Sequence, residues 1–242
     1  MNTAMLWVFI MTEYGVQEAA SGDNSCLLAG EQPAVFKFSV PHRSVTSVLK
    51  RFLDIVGAIA GLMILAVLFL PVAIAIRVES SGSVLYKQRR YGLQGRPFTL
   101  LKFRSMVNDA DRLKTLVHNE AEGLIFKNQQ DPRITRTGKL LRRSSLDEVP
   151  QFWNVLVGEM SLVGTRPPTH DEVIHYTDRH WQRLNVKPGL TGLWQVSGRS
   201  KIKDFEEIVN LDLQYQEQWT PQYDLQIIFR TFVVLLTKPG AC

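Results

Sequence analysis

Ile55 to Ile76, IVGAIAGLMILAVLFLPVAIAI, is a run of 22 residues without a single charge. It reaches the roughly 20 residues needed to cross a hydrocarbon core. It is also apolar on every side, whereas a surface helix of a soluble domain carries one apolar stripe. A buried core helix is the alternative reading. Pro71 lies inside the run, where it removes a helical hydrogen bond and favours a bend near Leu70. Lys50 and Arg51 precede the run and Arg77 follows it, and basic flanks prefer the cytoplasmic side. Both ends can stay on that side if the helix bends at the proline and re-emerges where it entered. A re-entrant helix is therefore favoured, with a straight span left open.

Outward from this run, 242 residues allow one domain of ordinary size plus an appendage. Met5 to Met11 (MLWVFIM) is too short and lacks the basic start of a signal peptide. Residues 13–47 are polar and mixed and read as a loose tail. Two cysteines, Cys26 and Cys242, stand near opposite ends, which excludes a disulfide framework or zinc spacing.

The net charge of +5 is modest but local. Lys87, Arg89, Arg90, Arg96, Lys102 and Arg104 fall together with no acid among them. Such a patch suits nucleic acid, anionic lipid headgroups or a nucleotide diphosphate. A second block, Arg133, Arg136, Lys139, Arg142 and Arg143, runs directly into two adjacent acids, Asp147 and Glu148. One acid can attack phosphorus or orient a metal while the cations hold phosphoryl oxygens. The bland alternative is an acidic first helical turn beside a solvated basic face.

The soluble part reads as α+β, mainly helical. Val84–Lys87 and Phe98–Phe103 lean to strand, and the turn chemistry of 91–97 between them predicts a small hairpin. Asn108–Glu122 has the spacing of a surface helix, and Gly138–Arg143 that of a short basic one. Ser145 stands three residues before Glu148, the spacing of a capping box, which would set both acids in the first turn of a following helix. Lys187–Gly192 reads as a turn, Asp204–Gln218 as a capped helix, and Leu225–Leu236 as an amphipathic helix at a membrane interface, too short to span. Trp153, Trp181, Trp194 and Trp219 read as core residues or interface anchors, and His170, His175 and His180 as surface residues.

Five segments appear in series: Lys102–Met106 (KFRSM), Asp131–Thr135 (DPRIT), Ser145–Gln151 (SLDEVPQ), Gly158–Gly164 (GEMSLVG) and Lys187–Gln195 (KPGLTGLWQ). Together they closely resemble the bacterial sugar transferases, monotopic polyprenyl-phosphate phosphoglycosyl transferases, over about Lys50 to Lys238. The resemblance implies transfer of a sugar 1-phosphate, a hexose by the form of the last segment, from a UDP-sugar to undecaprenyl phosphate. UMP is released, and assembly of an exopolysaccharide or O-antigen begins. It implies Asp147 as nucleophile of an aspartyl phosphosugar intermediate, Glu148 with Asp147 as ligands of Mg²⁺, and Lys102, Arg104, Arg142, Arg166 and Pro167 as substrate-binding residues.

Residues 1–47 are read from composition as a variable polar tail and 48–77 as the membrane helix, and the resemblance implies for 78–242 a compact catalytic domain on the cytoplasmic face of the bacterial inner membrane. Membrane lipid and downstream glycosyltransferases are the expected partners, nucleic acid is not, and a homodimer stays open. Two departures stand out. Thr165 replaces the first proline of the family's frequent Gly-Pro-Arg-Pro, which loosens that loop, and Leu70 replaces a serine before Pro71. A membrane-anchored Mg²⁺ phosphohydrolase and a lipid- or nucleic-acid-binding scaffold are the rival readings.

Overall fold

The computed structural model describes residues 38, 40–128, 130–198 and 202–237. Met5–Met11, Cys26, Cys242 and nearly all of the tail lie outside the described residues.

Among the described residues the chain is mainly helical, with one long apolar helix and two small sheets. The charge-free run sits in α1 (Val48–Glu79), 32 residues capped by the Ser47 hydroxyl and continuing through Pro71. At 1.5 Å per residue it is about 48 Å long. One stripe of it packs on the rest of the protein: Lys50, Asp54, Ala58, Gly61 and Leu65 are buried, and Phe69, Val72 and Ile76 continue the 3–4 spacing. The opposite face exposes Phe52, Val56, Ile59, Met63, Val67, Leu70 and Ile74. Only 17% of the most apolar stretch is buried inside the protein, whereas a core helix is mostly buried. Close approach along the stripe depends on missing side chains. A Cβ on Gly61 would lie 2.3 Å from the Phe152 ring, and one on Gly57 would lie 2.5 Å from Leu162 Cδ1.

Both ends of α1 are fastened to the same body. Lys50 Nζ lies 2.6 Å from Asp224 Oδ2, 2.9 Å from the Val163 carbonyl and 3.3 Å from the Tyr215 hydroxyl. The Arg51 guanidinium donates to the carbonyls of Val155 and Leu156. These two cations, read from the sequence as exposed flanks, are instead spent inside the protein, so the flanking-charge argument for orientation loses its N-terminal half. At the far end the Glu79 carboxylate accepts from the amides of Arg136 and Thr137, capping α2 (Arg136–Arg143).

β1 (Leu85–Tyr91) and β2 (Pro97–Phe103) form the expected antiparallel hairpin, Tyr86 opposite Lys102, closed by a 3-10 turn over Leu93–Gly95. The second sheet was not foreseen: β3 (Ser161–Val163) runs parallel to β4 (Gly189–Thr191). Gly189, read as a turn glycine, is a strand residue, and its nature follows from crowding. A Cβ there would meet the Gly164 amide nitrogen at 2.1 Å.

Asn108–Glu122 is not a helix but a set of turns with one 3-10 segment, Lys114–Leu116, and Asp109 in the left-handed region. Leu116 is 80% exposed, so the apolar spacing finds no surface to cover, and a short isolated helix is marginal without one. α3 (Phe152–Val157) packs on α1. α4 (Phe205–Gln218) is capped by Asp204, and α5 (Pro221–Thr237) buries Asp224 and Ile227 while exposing Phe229, Phe232 and Leu236. Trp181, Trp194 and Trp219 are core residues, and Trp153 is 45% exposed. His180, expected at the surface, is buried and bonded to Glu206, whereas His170 and His175 are exposed.

Removing one member of the buried pair isolates the other charge. Asp224→Asn is expected to cost about 3–5 kcal/mol, and Lys50→Met with Asp224→Leu considerably less. Thermal unfolding in detergent compares the two; equal losses would contradict this account of the contact.

Candidate active site

The acids sit in a 3-10 turn, Leu146–Gln151, that runs directly into α3. Ser145 makes no side-chain cap and stands instead in the left-handed region (φ 56°). The capping box predicted from its spacing is therefore absent, because that backbone turns the hydroxyl away from the Glu148 amide; the Ser145 carbonyl accepts from that amide instead. A non-glycine residue held in this conformation stores strain, a feature that gathers at functional turns. Pro150 is accommodated within the 3-10 turn, and both acids remain in its first turn.

Asn154 docks this segment on the hairpin. Its side chain accepts from the Leu101 amide and donates to the Thr99 carbonyl, like an extra rung on β2, and also to Glu159. Asn154 is 1% exposed. The sequence offered no sign of this role, since Asn154 falls between two of the motif segments. The docking brings Lys102 Nζ to 3.0 Å from Glu148 Oε1, with both side chains mostly buried. Asp147 is itself buried.

All seven residues singled out from the sequence line one cleft of about 2270 Å³. They are not equally available to a ligand. Arg142 lines the cleft with its Nε donating to the Ser105 hydroxyl. Arg104, a substrate-binding residue by the family resemblance, lies just beyond β2 and donates to the Ser80 and Ser81 carbonyls after α1. Burial and the nearby Arg77 hold its pKa below the usual arginine value.

Arg166 is clamped bidentately by Glu172, at 2.6 and 3.0 Å, with the Thr169 hydroxyl on the same carboxylate. Below them Arg183, fully buried, pairs with Asp212 and also reaches the Tyr176 hydroxyl. Burial, the largest single influence, would raise Glu172, but the Arg166 guanidinium together with Arg90 and Arg183 holds the carboxyl below its ordinary range. Pro167 contributes its carbonyl, which accepts from Arg90. The Arg166–Pro167 loop is not loosened by Thr165: that residue is 1% exposed, bridges to Pro188, and its carbonyl accepts from the Gly189 amide.

Two cleft features escaped the sequence reading. Arg90, left aside there with Arg89 and Arg96, reaches from β1 to the Pro167 carbonyl and Gln88. Burial, with Arg166 close by, pulls it down to about 10, so it stays charged at neutral pH. Arg133, counted among the unopposed cations, is buried against Asp131 in a bidentate pair. Asp131, two residues earlier in the same segment, is the sequence signal for this pairing.

A magnesium ion usually keeps several waters and takes one or two carboxylates, the substrate phosphates supplying the rest. Among the described residues no cluster of three or more His, Cys, Asp or Glu side chains forms a protein cage. Asp147 and Glu148, adjacent on one turn in the cleft, fit the substrate-bridged kind of site.

Residues 45–238 match the family model described as bacterial sugar transferase. The chain is 51% identical over 196 residues to galactosyl transferase CpsE of Streptococcus agalactiae, covering 80% of this chain and 43% of that protein. It is 42% identical over 199 residues to the undecaprenyl-phosphate galactose phosphotransferase of Salmonella typhimurium, covering 80% and 41%. The exopolysaccharide production protein ExoY of Sinorhizobium fredii is 38% identical over 205 residues, covering 82% of this chain and 90% of its own length. The chain thus spans about two fifths of the first two relatives and most of the third.

Two substitutions test the electrostatics. The Thr165 hydroxyl is buried without a hydrogen-bond partner. Thr165→Val should therefore raise stability by about 1 kcal/mol, read as a higher midpoint in thermal unfolding; a loss of that size would mean the hydroxyl is bonded. A depressed carboxylate stabilises the fold above its ordinary value, 4.5 for Glu172, and that contribution disappears as pH falls through the depressed value. Glu172→Gln should lower the midpoint at neutral pH and flatten its fall below about pH 4.5.

Proposed function

The chain belongs to the bacterial sugar transferase family, and from that premise we propose that it transfers a hexose 1-phosphate from a UDP-sugar to undecaprenyl phosphate, opening the assembly of an exopolysaccharide or O-antigen. The observation that carries this reading is the composition of the cleft. Asp147, Glu148, Lys102 and Arg142 line it together with Leu62, Met63 and Phe69 of the apolar α1. A phosphate-handling group and a hydrocarbon wall in one cleft suit an acceptor that is a phosphate on an isoprenoid chain.

In the proposed reaction a carboxylate oxygen of Asp147 attacks the sugar-bearing phosphorus of the UDP-sugar. The new O–P bond forms as the bond to the bridging oxygen breaks, and UMP leaves with that electron pair. A phosphate oxygen of the lipid then attacks the same phosphorus and frees the carboxylate, giving the polyprenyl diphosphosugar. The covalent stage lets a soluble donor and a membrane-bound acceptor use one site in turn. Mg²⁺, held by Asp147 and Glu148, would supply charge neutralisation to the diphosphate. Lys102 keeps Glu148 oriented through its 3.0 Å contact. Arg142 and Arg90 bring guanidinium donors to the cleft, where forked donors bind phosphate oxygens well. Arg166, already paired with Glu172, shapes the nucleotide-side loop with Pro167.

The membrane reading follows from α1. Its packed stripe runs from Lys50 to Ile76 on one body, and its other face is apolar and uncovered. A helix fastened to its domain at both ends fits re-entrant insertion better than a span that leaves the domain behind, and the apolar residues Phe229, Phe232 and Leu236 of α5 add an interfacial contact. With the basic cleft on the cytoplasmic side, the enzyme meets nucleotide sugar in the cytoplasm of a bacterium and lipid at its inner membrane. Downstream glycosyltransferases would take its product.

Purified protein in nanodiscs with Mg²⁺ is expected to release UMP from one UDP-hexose of a panel, dependent on undecaprenyl phosphate for multiple turnover. Asp147→Asn should lower the rate by at least about 10³-fold, the scale lost when a nucleophile is removed. UMP release indifferent to the lipid would favour hydrolysis and overturn the proposal.

A further inference from the structure

Trp194 and Gln195 sit on the single helical turn Leu193–Val196 and line the same cleft as Asp147. Trp194 is 5% exposed, yet its indole Nε1 has no hydrogen-bond partner. The neighbouring Gln195 donates through Nε2 to the Leu190 carbonyl at 3.3 Å, while its Oε1 is buried and also without a partner. Adjacent residues thus present one unused donor and one unused acceptor. Buried groups of this kind are rare in folded proteins, and each calls for an explanation.

The turn is held rigidly. A Cβ on Gly192 would lie 2.2 Å from the Gly164 carbonyl oxygen, and the Trp194 ring is wedged in a cluster with Ile125, Ile208 and Phe205. Lys127 Nζ lies 5.7 Å from the centre of that ring. An orphan pair on a rigid wall cannot relax to satisfy itself, and both residues line the cleft, from which a ligand can supply the missing partner.

We infer that Trp194 Nε1 and Gln195 Oε1 form the subsite that reads a hydroxyl of the donor's sugar. A hydroxyl is the group that accepts one hydrogen bond and donates another at a single atom, which matches a neighbouring N–H and carbonyl. The apolar residues beside them, Leu190 and Ile208, also line the cleft and suit the C–H face of a pyranose. A site built to bond a hydroxyl rejects donors lacking it, because its own polar groups are then left unpaired. The inference rests on the proposed UDP-sugar donor and identifies where the choice of sugar is made.

The test measures binding rather than turnover. Calorimetric titrations of UDP and of the preferred UDP-hexose are made on Asp147→Asn protein in nanodiscs, which holds the donor without consuming it. They are repeated with Trp194→Phe, which keeps an aromatic ring but deletes the N–H together with part of the indole, and separately with Gln195→Leu. In each variant the affinity advantage of the UDP-hexose over UDP should shrink about tenfold, the affinity for UDP staying the same. Unchanged UDP-hexose binding would overturn the inference and assign the orphan atoms to an internal water. Equal weakening of UDP and UDP-hexose would also overturn it, by locating the contact on the nucleotide or in the fold. Failure of the transferase reading is seen separately, in UMP release by the unsubstituted enzyme.

Discussion

The Lys50 ammonium, buried among Asp224, Tyr215 and the Val163 carbonyl, is the contact on which the rest of the arrangement depends. It lies in the first turn of an apolar helix, a place where an unpaired charge would be prohibitively costly. Its partners come from α4, α5 and β3, so the long apolar helix, the last two helices and the second sheet are tied together at one point. Asp54, one turn later, repeats the device by accepting from the Ser161 hydroxyl and the Leu162 amide. The strand fixed in this way leads straight to the Arg166–Pro167 loop, and its partner strand leads to Trp194. The apolar helix thus acts as the frame of the site as well as its anchor.

Within the cleft, charge is balanced in pairs: Lys102 with Glu148, Arg166 with Glu172, Arg133 with Asp131. Such pairing lets many cations share one cavity without driving the fold apart. It also divides labour. Arg166 and Arg133, held by two or more bonds in largely buried surroundings, keep loops in place. Lys102 and Arg142, bonded to Glu148 and to the Ser105 hydroxyl respectively, are the cations that the proposed reaction uses on phosphate oxygens.

Local chemistry made part of this legible in the sequence. The hairpin, α2 and α4 follow from turn residues, periodicity and caps that act over a few positions, and the five motif segments marked the cleft because their residues converge there. Contacts across long separations stayed hidden. Lys50 looked like an exposed flank because its partner stands 174 residues away. Arg104 carried the motif's charge, but its work on the Ser80 and Ser81 carbonyls depends on where α1 ends. Asn108–Glu122 had the spacing of a helix and lacked a surface to pack on, which no local pattern records. The β3–β4 pairing involves three residues on each strand, too short for alternation to declare itself.

The central claim is that Asp147 becomes covalently attached to the phosphosugar, and intact-mass spectrometry tests it directly. Protein incubated with Mg²⁺ and its UDP-sugar, without lipid acceptor, should gain the mass of one sugar phosphate. The adduct should map to the peptide carrying Asp147, be absent in Asp147→Asn, and vanish when undecaprenyl phosphate is added. Turnover to polyprenyl diphosphosugar with no adduct at any time, or an adduct on another residue, would contradict the account.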